Sequence, residues 1–154
     1  CCYLCNTMSK VNALYHIVFC TKSRKMTISA AYAEDLYRFI WNMLRTKDCH
    51  LYRISGIENH IHMLINLNPK IALSSLIRDI KAKSSGWLRS DPRFVGFDSW
   101  VTEYFAATIA YKDRDGVIEY IKNQREHHHG RGFDDELEAL LRSEDMSVYE
   151  GDMI

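Results

Sequence analysis

Stretches of alternating and continuous apolar residues divide the chain into a short series of elements. Residues 13–20, Ala-Leu-Tyr-His-Ile-Val-Phe-Cys, are rich in β-branched and aromatic types and predict a strand. Thr21 to Lys25 is polar and basic and predicts a connection. Ser29 is a suitable N-cap for a helix over 30–47, with an apolar stripe through Tyr37, Ile40, Trp41 and Leu44. Residues 49–57 and 60–66 predict two strands around a short turn at Glu58-Asn59, which makes them a hairpin. Asn68-Pro69 breaks the pattern. A helix over 72–88 follows, with Leu73, Leu76, Ile77 and Ile80 facing inward and Arg78, Lys81 and Lys83 elsewhere on its surface. Residues 90–98 predict a loop, and 99–111 a strand region with less regular alternation. Asp113 can cap a further helix over 115–127, and residues 134–143 predict a short last one.

The first six elements run β-α-β-β-α-β. That order predicts an α+β fold, a ferredoxin-like split βαβ arrangement with an antiparallel sheet and an additional C-terminal helix. A chain of 154 residues buries one sizeable core unaided, whereas two domains of half that length would each be marginal. Two prolines and seven glycines suggest no disordered linker. No run approaches the roughly 18 apolar residues of a membrane span, and the first residues lack the pattern of a signal peptide, so a cytoplasmic protein is expected.

Net charge is zero, but its distribution is uneven. Residues 1–90 hold 13 Lys and Arg against 5 Asp and Glu, a balance of +8, and residues 91–154 hold 7 against 15, a balance of −8. The basic part suits a polyanionic partner, while an ordinary solvated surface with an acidic tail fits the same counts. The five cysteines, Cys1, Cys2, Cys5, Cys20 and Cys49, are odd in number and irregular in spacing, which argues against a disulfide scaffold. Cys2 and Cys5 form a lone C-x-x-C with no second pair to complete a zinc site, and Cys20 and Cys49 suit small buried hydrophobes.

His60 and His62 are one residue apart on a strand, so both imidazoles share a face and make a plausible partial metal site. The same spacing also fits two polar residues on a solvated face, or one histidine hydrogen-bonded in a crowded region. Tyr120 and Gln124 are four apart and share a helical face. An amide oxygen can complete a metal site that two histidines leave open, with a phenol one turn away. Equally, Tyr120 could anchor the edge of the core while Gln124 meets solvent.

These segments together resemble the single-tyrosine transposases of the IS200/IS605 group, members of the HUH nuclease superfamily. The resemblance is carried by Tyr15-His16-Ile17-Val18-Phe19 with Thr21-Lys22-Ser23-Arg24-Lys25, and by Gly56-Ile57-Glu58-Asn59-His60-Ile61-His62-Met63-Leu64-Ile65. It continues through the Lys81–Trp87 segment and Tyr120-Ile121-Lys122-Asn123-Gln124, followed by Glu126-His127-His128. It runs from Tyr15 to about Glu144, implying a transposase domain over 13–144, an N-terminal extension over 1–12 and a tail over 145–154. One stretch departs from the family pattern: Trp100-Val101-Thr102-Glu103-Tyr104 keeps the aromatic pair but lacks the usual glycines.

The resemblance implies that the protein cleaves and rejoins single-stranded DNA at hairpin-flanked ends through a 5′-phosphotyrosine. Tyr120 is then the nucleophile, and His60, His62 and Gln124 hold Mg²⁺ or Mn²⁺. His127 and His128 match histidines common after the motif, with a structural or DNA-contacting role, and His129 is an addition. Single-stranded and hairpin DNA and a second copy of the chain are the implied partners. Lys22, Arg24, Lys25, Arg78, Lys81 and Lys83 could meet phosphates, and Trp87 or Trp100 could stack on bases or anchor the core. The competing readings are a non-catalytic or domesticated DNA-hairpin binder, a small metallohydrolase that activates water at His60 and His62, and a structural oligomer.

Overall fold

The computed structural model describes residues 11–124, together with 135, 138–140 and 142. The Cys2–Cys5 pair, His127 to His129 and the tail over 145–154 lie outside the described residues.

Four strands form one antiparallel sheet: β1 (Leu14–Cys20), β2 (His50–Ile57), β3 (His60–Asn66) and β4 (Phe105–Thr108), in the order β2-β3-β1-β4. Helices α1 (Ala33–Thr46) and α2 (Leu73–Ser90) supply the two crossovers. This is the ferredoxin-like order that the β-α-β-β-α-β reading implies. An additional helix, α3 (Arg114–Lys122), packs on β2 and β3.

Strand side chains alternate between faces, so the pairing register fixes what each face carries. Ile17 and Phe19 of β1 and Ile61, Met63 and Ile65 of β3 join the core that α1 and α2 cover with Leu36, Ile40, Leu44, Leu76, Ile77, Ile80 and Leu88. Each such fully buried side chain contributes about 1.5–3 kcal/mol. The opposite face carries Leu14 and Leu64, which pack with Ile121 of α3, and Val18, Phe105 and Ala107, against which Leu140 packs. His16, His60 and His62 share that second face. The described positions of the expected 134–143 helix have helical backbone.

Helix α1 ends at a Schellman turn. Asp48 takes the left-handed conformation (φ 53°), and the amides of Asp48 and Cys49 donate to the carbonyls of Arg45 and Leu44. The start differs from expectation: residues 29–32 form a turn closed by Tyr32 N–H to Ser29 O, and Ser29 makes no side-chain cap at the first residue, Ala33. Trp41 lies off the buried stripe at 43% exposure, with the Arg45 guanidinium 4.7 Å from its ring centroid. Met43 and Leu36 face inward instead.

The expected strand over 99–111 is much shorter. Trp100 makes only an isolated bridge to Thr21, and regular pairing with β1 begins at Phe105. The interruption has a visible cause. The carbonyls of Val101, Thr102 and Glu103 turn toward Lys81 Nζ, at 2.9, 2.9 and 2.7 Å, and are engaged there. Trp100 is a core residue, its indole N–H donating to Ser84 Oγ at 2.8 Å. Trp87 stacks on Phe39, with 5.2 Å between ring centroids. Both tryptophans therefore have internal partners. Among the described residues no helix is long and apolar enough to cross a membrane.

Candidate active site

β3 lies between β2 and β1, so the histidines it carries are covered by neighbours on both sides. His60 and His62 are completely buried, and their ring centroids are 5.0 Å apart. Gly56 of β2 allows the hairpin to close this tightly. A Cβ at that position would strike the carbonyl oxygen of His60 and come within 2.8 Å of Ile61 Cα. The hairpin tip is clamped by the segment after β1. Thr21 N–H donates to Asn59 O, the Thr21 hydroxyl donates to Lys25 O at 2.7 Å, and the amides of Thr27 and Ile28 donate to Glu58 O.

α3 brings Tyr120 over this face because Val117, Ile118 and Ile121 pack on Leu14 and Leu64. The Tyr120 ring stands edge-on to His62, 5.9 Å between centroids. One turn later Gln124 is wholly buried, its amide N–H donating to Tyr120 O at 3.4 Å. His60, His62 and Tyr120 thus form a series of ring contacts within one chain, and Gln124 is buried four residues beyond Tyr120.

His16 was not singled out, yet it belongs here. It is buried on β1, its Nε2 is 3.1 Å from His62 Nδ1, and its ring lies 5.9 Å from that of Tyr120. A polar residue between Leu14 and Val18 on an otherwise apolar face was the available signal.

His60 Nδ1 donates to Asn59 Oδ1 at 2.7 Å. Each of the three would-be ligands is therefore anchored through one atom, and the other atom, His60 Nε2, His62 Nε2 or Gln124 Oε1, is buried without a hydrogen bond. A wholly enclosed amide oxygen with nothing to accept is rare, because buried polar atoms nearly always have a partner. The Gln124 amide oxygen and the two imidazole nitrogens are donor types that suit a divalent cation. Among the described residues no three His, Cys, Asp or Glu side chains converge as a metal site.

Of the basic residues, Lys22, Arg24, Lys25, Arg78 and Lys83 are exposed, whereas Lys81 is partly buried beneath the 101–103 carbonyls. Cys20 and Cys49 are buried free thiols, and burial pushes the Cys20 thiol pKa up.

A family model described as "Transposase IS200 like" matches residues 9–124. The chain belongs to the IS200-like single-tyrosine transposase family. The transposase for insertion sequence element IS200 of Salmonella typhimurium is 28% identical over 120 residues, spanning 75% of this chain and 78% of that protein. The Salmonella typhi IS200 transposase matches equally well. A solved REP-associated tyrosine transposase, bound to a REP hairpin, shares the fold with a TM-score of 0.60 at 16% identity, covering 79% of this chain and 75% of that one. A Deinococcus radiodurans protein proposed to be a transposase aligns with a TM-score of 0.58 at 20% identity, over 75% of this chain and 93% of its own. This transposase therefore has the family's α+β fold, and DNA transposition is its function.

Proposed function

We propose that this transposase cuts and rejoins single-stranded DNA at hairpin-flanked ends, with Tyr120 as the nucleophile and His60, His62 and Gln124 as ligands of Mg²⁺ or Mn²⁺. One observation carries the reading: the Tyr120 ring stands 5.9 Å from that of His62, which is 5.0 Å from that of His60, within one chain. When bound, the divalent ion would offset charge on the phosphate. The three donors proposed for it are all neutral, so its charge remains available to the DNA.

Tyr120 Oη attacks phosphorus. The Oη–P bond forms, the P–O3′ bond breaks, the phenol loses its proton and the departing 3′ oxygen gains one. The phosphotyrosine stores the bond for rejoining by a 3′-hydroxyl, with no nucleotide consumed. Lys22, Arg24, Lys25, Arg78 and Lys83 are suited to hairpin phosphates. Lys81 is not, since its ammonium already serves three carbonyls. A homodimer belongs to the same reading, and β2 and β4 are the sheet edges available to it.

The test is labelled hairpin DNA with single-stranded flanks, incubated with Mn²⁺ and run on a denaturing gel. The wild type should give a slow covalent band, and Tyr120→Phe should lose that band while still binding the hairpin. Released fragments without an adduct would favour a water-activating hydrolase. Binding without cleavage across a panel of flanks would favour a hairpin-binding protein.

A further inference from the structure

We propose that His16 and Asn59 are positioning residues that fix the proton of each ligand imidazole on Nδ1, so that His60 and His62 both offer Nε2 as a lone pair. This rests on the metal-holding role of the two histidines. Neither His16 nor Asn59 is among the ligands.

For His60 the chemistry leaves one choice. Asn59 Oδ1 is an acceptor only, and it lies 2.7 Å from His60 Nδ1, so the proton between them belongs to the ring. A neutral imidazole with Nδ1–H has its lone pair on Nε2. Asn59 is itself held. Its backbone carbonyl accepts from Thr21 N–H at 2.8 Å, which fixes the turn that aims the amide.

For His62 the partner is another imidazole. His16 Nε2 and His62 Nδ1 are 3.1 Å apart and share one proton. If the proton sits on His16 Nε2, His62 carries its own proton on Nε2 and repels a cation. If it sits on His62 Nδ1, the Nε2 lone pair is available and His16 is the acceptor, with its own proton on Nδ1. Only the second state serves a ligand. The geometry keeps the two rings in that relation. Val18 pairs with His62 and His16 with Leu64, so the histidines are diagonal neighbours on one face. The rings stack at 5.3 Å and 27°, and His16 is hemmed in by Phe105 and Tyr120, each 5.9 Å away by centroid. Outer partners of this kind set the tautomer and orientation of a ligand histidine, and removing one weakens metal binding about 10–100-fold.

The tautomers are read directly from long-range ¹⁵N–¹H spectra of the imidazoles in the metal-free protein, and Mn²⁺ affinity from a titration followed by electron paramagnetic resonance. Nδ1–H patterns are expected for both His60 and His62. His16→Leu should move the His62 proton to Nε2, and Asn59→Ala should do so for His60. Mn²⁺ binding should weaken about 10–100-fold in each. His16→Gln and Asn59→Asp keep an acceptor and should stay near wild type. Nε2–H on either histidine in the wild type, or unchanged Mn²⁺ affinity in a folded His16→Leu protein, overturns the assignment. Nδ1–H tautomers with no Mn²⁺ uptake would instead overturn the ligand role and leave the positioning intact.

Discussion

Gly56 lies against the backbone of His60 so closely that no side chain fits between the two strands at that point. The pair sits near the hairpin tip, where Gly56 is opposite Ile61 and Ile57 is opposite His60. The glycine is required here for space and not for an unusual backbone angle. Gly56→Ala must push β3 away from β2 or twist the turn. The expected cost is about 1–3 kcal/mol, in the range of overpacking changes. Because the obstructing atom belongs to His60, Mn²⁺ binding should weaken more than stability alone explains. Urea unfolding beside a Mn²⁺ titration separates the two effects.

Lys81 joins α2 to the segment that interrupts β4. Its ammonium donates to three carbonyls, lies near the Phe19 and Tyr104 rings, and is desolvated enough to pull its pKa below the usual lysine value. Lys81→Met keeps the stem but strands those carbonyls, at a cost of about 1–3 kcal/mol. Lys81→Arg should not rescue, because a planar fork does not match three carbonyls around a point. Faster hydrogen exchange in residues 101–105, with α1 unaffected, would locate the loss.

Legibility followed the range of the interactions involved. β1 and β3 were readable because each is a local run of strand-forming residues. His60 and His62 shared a face, as the period of two requires. Within 99–111 only Phe105–Thr108 is regular strand, because the carbonyls of 101–103 answer to Lys81, 20–22 residues away. Trp41 looked like core because its spacing fits a wider stripe than the sheet covers. For His16 the polar break in an apolar face is local, but its place beside His62 is set by the β1–β3 register, which is not.

Acid should loosen a second junction. Arg93 bridges Asp91, just after α2, and Asp35 of α1, with 2.7 Å contacts to each. The hydrogen bonds from Arg93 hold the Asp91 carboxyl below the usual carboxylate range, as Lys47 does for Asp79 and Lys22 for Asp98. The unfolded chain therefore takes up protons first on acidification, at about pH 3.9. The stabilisation is fully present above that value and disappears as pH falls through the lower folded-state pKa. Melting temperature should drop between about pH 5 and 3, and Arg93→Met should flatten part of that slope. High salt should also flatten it, since these contacts are solvent-exposed and screened. A pH profile unchanged by Arg93→Met would remove this junction from the acid response.

Gln124 offers the sharpest separation between holding an ion and using it. Its side chain is wholly buried and its Oε1 makes no hydrogen bond, so with Gln124 as a ligand a carboxylate there would add a negative charge directly against a bound cation. Gln124→Glu should tighten Mn²⁺ binding, because charge strengthens the contact in a site with little water. It should also slow DNA cleavage, since part of the ion's charge is then offset before the phosphate arrives. Loss of one protein ligand in Gln124→Ala should weaken both, with affinity falling at least about tenfold and cleavage recovering partly at high Mn²⁺. Metal titrations and single-turnover cleavage on the same preparations give the two quantities separately. Were Gln124→Glu to cleave at the wild-type rate while binding Mn²⁺ no better, the amide would be a packing residue and the ion would have to be held without it.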